Sequence, residues 1–340
     1  MVPDSNEIHL AADALGKGQL VAFPTETVYG LGADAENPDA VAAIYALKGR
    51  PSGHPLIVHL APGADIAYWA EAIPEEARKL IDAFWPGPLT LILKRAAHIP
   101  SAVAGGQDTI GLRCPSHPVA QALLLTFKAG KGGVAAPSAN LFGHVSPTLA
   151  RHVRDEFGND TRLAVVLDGG QSEVGIESTI LDLSRIDTHG PVLLRPGKIS
   201  ATDIARVTGR IPAKADSTAP RASGTLLSHY APDTPVVLVA TSQMAEVFST
   251  LKKKGIPAAV MHYSSLPDVS KEHLFTRIVM PLSVEAYSHE LYACLRRLDE
   301  AGVDVIIVEH PPEDIAWDGV NDRLRRAAHD TKDMLEKLLG

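Results

Sequence analysis

Residues 20–32 read LVAFPTETVYGLG. The first four are apolar and predict a short buried strand. The rest bring two threonines, a tyrosine and two glycines into one loop at that strand's end, where α/β proteins grip small polar ligands. Outward from it the rhythm repeats. Strands are expected at 56–60, 89–93, 164–167, 179–183 and 192–194, and helices at 38–48, 117–128 and 148–157. Pro118 and Pro147 sit near helix starts, where a missing N–H costs little. A stretch without periodicity, IPAKADSTAPRASGTL at 211–226, then breaks the pattern and reads as a linker. Beyond it come a strand at 235–240, a helix at 243–254, strands at 258–262 and more weakly 279–282, and a helix striped by Val284, Tyr287, Leu291, Leu295 and Leu298. Ser283 is its N-cap and Gly302 its stop. A strand at 303–308 and a helix at 320–339 close the chain. Such alternation predicts a small parallel sheet with helices on its faces.

The 340 residues suit two domains, and 45% hydrophobic with 21% charged residues is a globular composition. A net charge of −8 and 5% aromatic residues argue against a protein that coats nucleic acid or stacks bases along a platform. One segment runs against the acidic total: residues 195–221 hold six Lys/Arg against two Asp, a solvated face or a cationic flap near an anionic ligand. Cys114 and Cys294 form no disulfide framework and no CxxC pattern, which fits a reduced, cytoplasmic setting. The N-terminus has no signal-peptide pattern, and the longest apolar runs, LTLIL at 89–93 and VDVIIV at 303–308, are far short of a membrane span. No Walker loop, GxGxxG or GxSxG occurs.

The candidate chemistry lies at strand and helix ends. KGRPSGHPL at 48–56 offers Lys48 and Arg50, a point charge and a planar fork suited to polyphosphate, although cations at a helix C-terminus also complement its dipole. Arg113 closes an apolar stretch before Cys114 and Pro115, and a buried arginine there needs an anion: a ligand carboxylate or an internal Asp or Glu. In GGVAAPSANLFGHVSPT (132–148), Ser138, Asn140, Ser146 and Thr148 stand among Gly, Ala and Pro, as in a phosphate-binding loop or a capped one. Ser178 opens another strand and Arg195 ends one. WPGPLT at 85–90 reads as a rigid turn. By residues alone, this is a two-domain protein for an anionic, phosphorylated ligand.

Taken in order, PTETVYGLG, KGRPSGHPLIVHL, WPGPLT, APSAN, SPT, EST and LRPG resemble the Sua5/YrdC/YwlC family, and HYAP at 229–232 with the trailing domain resembles its long Sua5 form. The resemblance implies an α/β fold: a YrdC-like twisted open sheet with a large concave cavity over 1–210, a linker or lid at 211–232, and a smaller Rossmann-like parallel domain over 233–340. It implies a nucleotidyltransferase that condenses L-threonine, bicarbonate or CO2 and ATP, with Mg2+, to threonylcarbamoyl-AMP and pyrophosphate. The product would pass to the tRNA threonylcarbamoyl-transferase machinery for t6A in tRNAs reading ANN codons. Matched by motif, Thr27, His59, Arg113, Ala136 and Ser178 would meet threonine. Lys48, Arg50, His54, Thr109, Ser138, Asn140, Ser146 and Arg195 would meet ATP, with Lys48, Arg50 and Arg195 stabilising charge and Tyr230 folding over as part of the lid. Glu26 has two readings, a base or Mg2+ contact and a structural group in its loop. His54 stands where the family typically has Asn, and ASGT at 222–225 where it has SPGM. A double-stranded RNA or tRNA-binding module and a carbamoyl-adenylating maturation factor are the alternatives. The second resembles a longer chain with zinc-finger cysteines.

Overall fold

The run at 20–23 is strand β1 (Leu20–Phe23), and all four residues are buried. A strand hidden on both faces belongs in a sheet covered on both sides. The protein is described here by a computed structural model, over residues 4–265, 275–331 and 333–334. The chain divides into two units: Met1–Phe142 with Ser146–Thr225, and Gly143–Val145 with Leu226–Gly340.

The first unit adds β2 (Gly30–Asp34), β3 (Ile57–Leu60), β4 (Leu89–Lys94), β5 (Thr109–Arg113), β6 (Gly133–Ala135), β7 (Leu163–Val166), β8 (Thr179–Asp182), β9 (Val192–Arg195) and β10 (Ala213–Lys214). They form one mixed sheet in the order β10-β9-β8-β4-β5-β3-β6-β2-β1-β7. Side chains alternate across a strand, so the two faces differ. One face carries Val58, Leu91, Leu112, Ala135 and Leu181 under the helices Pro38–Lys48, Glu75–Phe84, Ala150–Phe157 and Ala201–Thr208. The other is covered in two places. The helices Ser5–Gly16 and Pro118–Thr126 pack on Val21, Phe23, Val134 and Ala136. Further along, Ala222 lies on Ile57, Ile92 and Ile180. His59 and Arg113 are register partners on β3 and β5 and project from this second face. His59 meets the Phe23 ring edge-on at 5.9 Å, between the two coverings.

The Pro- and Ser-rich stretch after residue 211 belongs, through Thr225, to the first unit. β10 extends the sheet beside β9. Arg185 donates to Thr218, and Gln107 and Arg221 exchange hydrogen bonds with each other. The expected strands at 20–23, 56–60, 89–93, 164–167, 179–183 and 192–194 are present within a residue or so at their ends. β2, β5, β6 and β10 are additional; β2 lies partly inside the stretch read as loop and β10 inside the one read as linker.

The second unit is a four-stranded parallel sheet in the order β11-β14-β12-β13, from β11 (Val236–Val239), β12 (Ala258–His262), β13 (Phe275–Val279) and β14 (Val305–Glu309). The helix Met244–Lys254 covers Val237, Val239, Val260 and Ile307. The alternate residues Ala259, Met261, Ile306 and Val308 are also buried. The strand expected at 279–282 lies four residues earlier, at Phe275–Val279, because Pro281 cannot continue a ladder. The closing helix, expected at 320–339, is Asp318–Ala327: it ends at Ala328 and a 3-10 turn at His329–Thr331 follows, while residues 335–340 lie outside those described.

Candidate active site

The helix Pro38–Lys48 begins at Asn37, whose side chain accepts from the N–H groups of Asp39 and Ala40, with proline at its first position. It stops at Gly49, which takes the left-handed conformation at φ 62°. That turn sends Lys48 and Arg50 into the interior, only 2% and 6% exposed. Lys48 Nζ donates to the Ser138 carbonyl at 2.6 Å and to the Asn140 carbonyl. Burial, and then the neighbouring Arg50 charge, hold its pKa well below the ordinary lysine value. Lys48 thus pins the 138–140 loop, while Ser138 is bridged to Gly30 and Phe142 N donates to the Lys48 carbonyl.

Arg50 lies over the Phe142 ring at 5.7 Å and donates to the Pro55 carbonyl at 3.2 Å and Ser223 Oγ at 3.4 Å. The Ser223 carbonyl in turn accepts from Arg195 Nη1 at 2.9 Å. Arg195 also donates to the carbonyl and the hydroxyl of Ser178, and Ser178 Oγ is 2.8 Å from Thr90 Oγ1. Direct contacts therefore run from Lys48 through Phe142, Arg50, Ser223 and Arg195 to Ser178. His54 meets Phe142 edge-on at 5.5 Å, beside Arg50. Burial first, then the charges of Arg50 and Arg221, hold its pKa below the usual histidine value.

Arg113 is 3% exposed. Its Nε donates to the Gly87 carbonyl at 3.2 Å, Nη1 donates to Thr27 Oγ1 at 2.9 Å, and Nη2 is 2.6 Å from Glu26 Oε1. Gly87 has to be glycine, because a Cβ there would lie 2.3 Å from the Phe84 carbonyl oxygen. His59 beside it is buried, and burial, then the Arg113 charge, push its pKa down to about 3. It is a neutral hydrogen-bonding ring at ordinary pH, and its Nδ1 has no hydrogen-bond partner among the described residues. Ala136 continues the same face, its N–H on the Ile57 carbonyl. Burial pushes the adjacent Cys114 thiol up to about 11, which leaves it protonated and unreactive.

Thr27, His59 and Arg113 come together, and Ala136 lies on the same face. Lys48, Arg50, His54, Ser138, Asn140, Ser178 and Arg195 are joined by the chain of contacts above. Ser146 donates to Glu177 Oε1 at 2.5 Å. Thr109 stands apart from Arg113: it opens β5 while Arg113 ends it, about 13 Å away at strand rise. There it lines the recess under Ala222, with Gln107 and Gly111. Tyr230 belongs to the second unit, 1% exposed, with Tyr292 at 5.8 Å and Arg323 over its ring at 5.5 Å. Of the two readings of Glu26, the structure displays the structural one, a partner for Arg113. Thr90, Phe142 and Ser223 were missed. Thr90 ends the WPGPLT motif, which was its only signal; the other two touch Arg50 through contacts that no local pattern announces.

Two family models match consecutive parts of the chain. The Sua5–YciO–YrdC model, described as Telomere recombination, covers residues 13–197, and one described as Threonylcarbamoyl-AMP synthase, C-terminal domain, covers 199–329. The chain is 38% identical to the threonylcarbamoyl-AMP synthase of Pyrococcus abyssi (strain GE5 / Orsay), over 95% of this chain and 94% of that one. It is 37% identical to the protein of that name from Bacillus subtilis (strain 168), over 95% and 93%. The solved structure of P. abyssi Sua5 complexed with L-threonine superposes with a TM-score of 0.86 at 36% identity, covering 96% of each chain. With both family models and near-full-length relatives in agreement, the chain belongs to the Sua5–YciO–YrdC family, in its two-domain form.

Proposed function

We propose that this protein is a threonylcarbamoyl-AMP synthase, condensing L-threonine, bicarbonate or CO2 and ATP with release of pyrophosphate. The observation that carries the reading is likeness along almost the whole chain to proteins of that name, one of them solved with L-threonine. The site chemistry agrees with it. Arg113 gives a guanidinium for the amino-acid carboxylate, Thr27 a hydroxyl and His59 an uncharged ring. Ala136 and Ser178 complete the threonine side. Lys48, Arg50 and Arg195 face the polyphosphate, with His54, Thr109, Ser138, Asn140 and Ser146 on the nucleotide side. A phosphate would displace the carbonyl and hydroxyl of Ser223 from Arg195 and Arg50.

The steps balance. The threonine ammonium loses one proton, the free amine adds to CO2 and forms a C–N bond, and the adduct nitrogen releases a second proton to solvent, giving a carbamate. A carbamate oxygen then attacks the α-phosphorus of ATP, and pyrophosphate leaves with the broken P–O bond. Positioning and charge stabilisation do most of this work. Among the described residues no three His, Cys, Asp or Glu side chains form a metal cage. A Mg2+ ion would arrive on the nucleotide and neutralise phosphate charge when bound. Such an ion would keep several waters, and the carboxylate of Glu177, beside Ser146, would serve as one ligand to it. The cytoplasm, and delivery of the product to the tRNA-modifying machinery, are the setting the reading implies.

Purified protein with ATP, Mg2+, L-threonine and bicarbonate should release pyrophosphate only when both threonine and bicarbonate are present. Release without either one overturns the assignment.

A further inference from the structure

Two buried polar atoms beside Thr27 form an ion pair without hydrogen-bond geometry. Arg113 Nη2 and Glu26 Oε1 are 2.6 Å apart in side chains each 4% exposed. Neither atom makes an aligned hydrogen bond among the described residues. The other groups of the pair are committed: Arg113 Nε to the Gly87 carbonyl, Nη1 to Thr27, and Glu26 Oε2 to the Ser116 N–H at 3.1 Å. The Glu26 carbonyl accepts from Val174 N as well. The pair is therefore fixed from several sides, and its remaining two atoms, Nη2 and Oε1, form an ion pair that lacks hydrogen-bond geometry.

The glutamate changes what the pocket accepts. Arg113 alone would draw any carboxylate. With Glu26 already on it, a second carboxylate brings excess negative charge into a desolvated place, unless the ligand carries its own cation. An α-amino acid does, one carbon from its carboxylate. His59 is neutral and leaves that balance unchanged.

We propose that Glu26 Oε1 receives the α-ammonium group of the substrate while Arg113 Nη2 takes its carboxylate, so that Glu26 selects a zwitterion. The proposal rests on the reading that puts threonine at Arg113.

Calorimetric titration of the full chain with L-threonine and with 3-hydroxybutanoate, the same skeleton without the amino group, tests it. The wild type should prefer threonine by about tenfold or more, the worth of a hydrogen bond to a charged group. Glu26→Gln should abolish most of that preference, weakening threonine and not the analogue, with ATP affinity kept. Glu26→Asp keeps the charge and should keep the preference. Equal weakening of both ligands in Glu26→Gln, or an unchanged preference, overturns the proposal. So does a wild type that binds both ligands equally, a result that needs no variant to fold. Arg113→Gln separates the two readings: threonine binding that survives it places threonine elsewhere and removes the underlying reading.

Discussion

Arg113 would be a poor residue for the end of an apolar strand without an anion beside it. Glu26 supplies one, and truncating the arginine leaves that carboxylate buried alone. Arg113→Ala should cost about 3–5 kcal/mol in denaturant unfolding and raise the KM for threonine well above any change in the KM for ATP. Equal loss of both substrates would refute its carboxylate role. That an arginine here needed a partner was legible in TIGLRCP; that the partner was Glu26 was not, because the pairing depends on how two distant segments meet. His54 is a second case. Its titration lies below the ordinary value of about 6.5, since burial and then Arg50 and Arg221 disfavour its charged form. Protonation adds positive charge beside Arg50, so the KM for ATP should change only on the acid side of that value. His54→Asn should flatten this limb of the pH profile, and an identical limb in the variant would exclude His54 as its source.

At the scale of elements, the segment 211–225 teaches most. Its composition has no period, so it reads as a linker, yet Arg185, Gln107 and the isoleucine floor tie it to the first sheet. Those ties are long-range and leave no trace in local pattern. Ala222 is the apolar one, 5% exposed on Ile57, Ile92 and Ile180. Ala222→Asp would set a carboxylate on that floor without a partner. Trypsin should then cut after Lys214 and Arg221 much faster, while the unfolding midpoint of the first unit moves little. Unchanged cleavage would mean that Ala222 does not hold the segment. The strands divide along the same line. β1 is wholly apolar and β4 and β14 are mostly so, and all three are plain from sequence. β2, β5 and β6 each contain glycine and are only three to five residues long. Pairing with their neighbours, rather than their own propensity, makes them strands.

At the scale of the molecule, each unit has its own core, and acid should affect the two differently. His59 binds its proton only near pH 3 when folded, against about 6.5 when unfolded. Below that upper value the unfolded chain takes up a proton that the folded one refuses, so the first unit loses stability as pH falls. In the second unit the sign is the same but the window is lower. Burial alone would raise the pKa of Glu309, but hydrogen bonds from Ser264, Tyr263 and Thr241 outweigh it and hold it below the ordinary value. Its contribution is complete above about pH 4.5 and fades below. Between pH 7 and 5.5 the unfolding reported by Trp69 and Trp85 should therefore move to lower temperature, while that reported by Trp317 stays. Parallel shifts of both would exclude this division. The same scale shows why net charge was a weak guide to the ligand. The total is −8, yet Lys48, Arg50, Arg113 and Arg195 are all buried in one unit.

The strand order of the second unit has a consequence for synthesis on the ribosome. β14 is the last of its strands to be made, yet it lies between β11 and β12. Until residues 305–309 emerge, the nascent chain carries β11 without a neighbour and β12 with one open edge. A chain stalled before that point exposes Val236–Val239 and Ala258–His262 as templates for pairing with other chains. Release of the last strand both completes this sheet and ends that hazard.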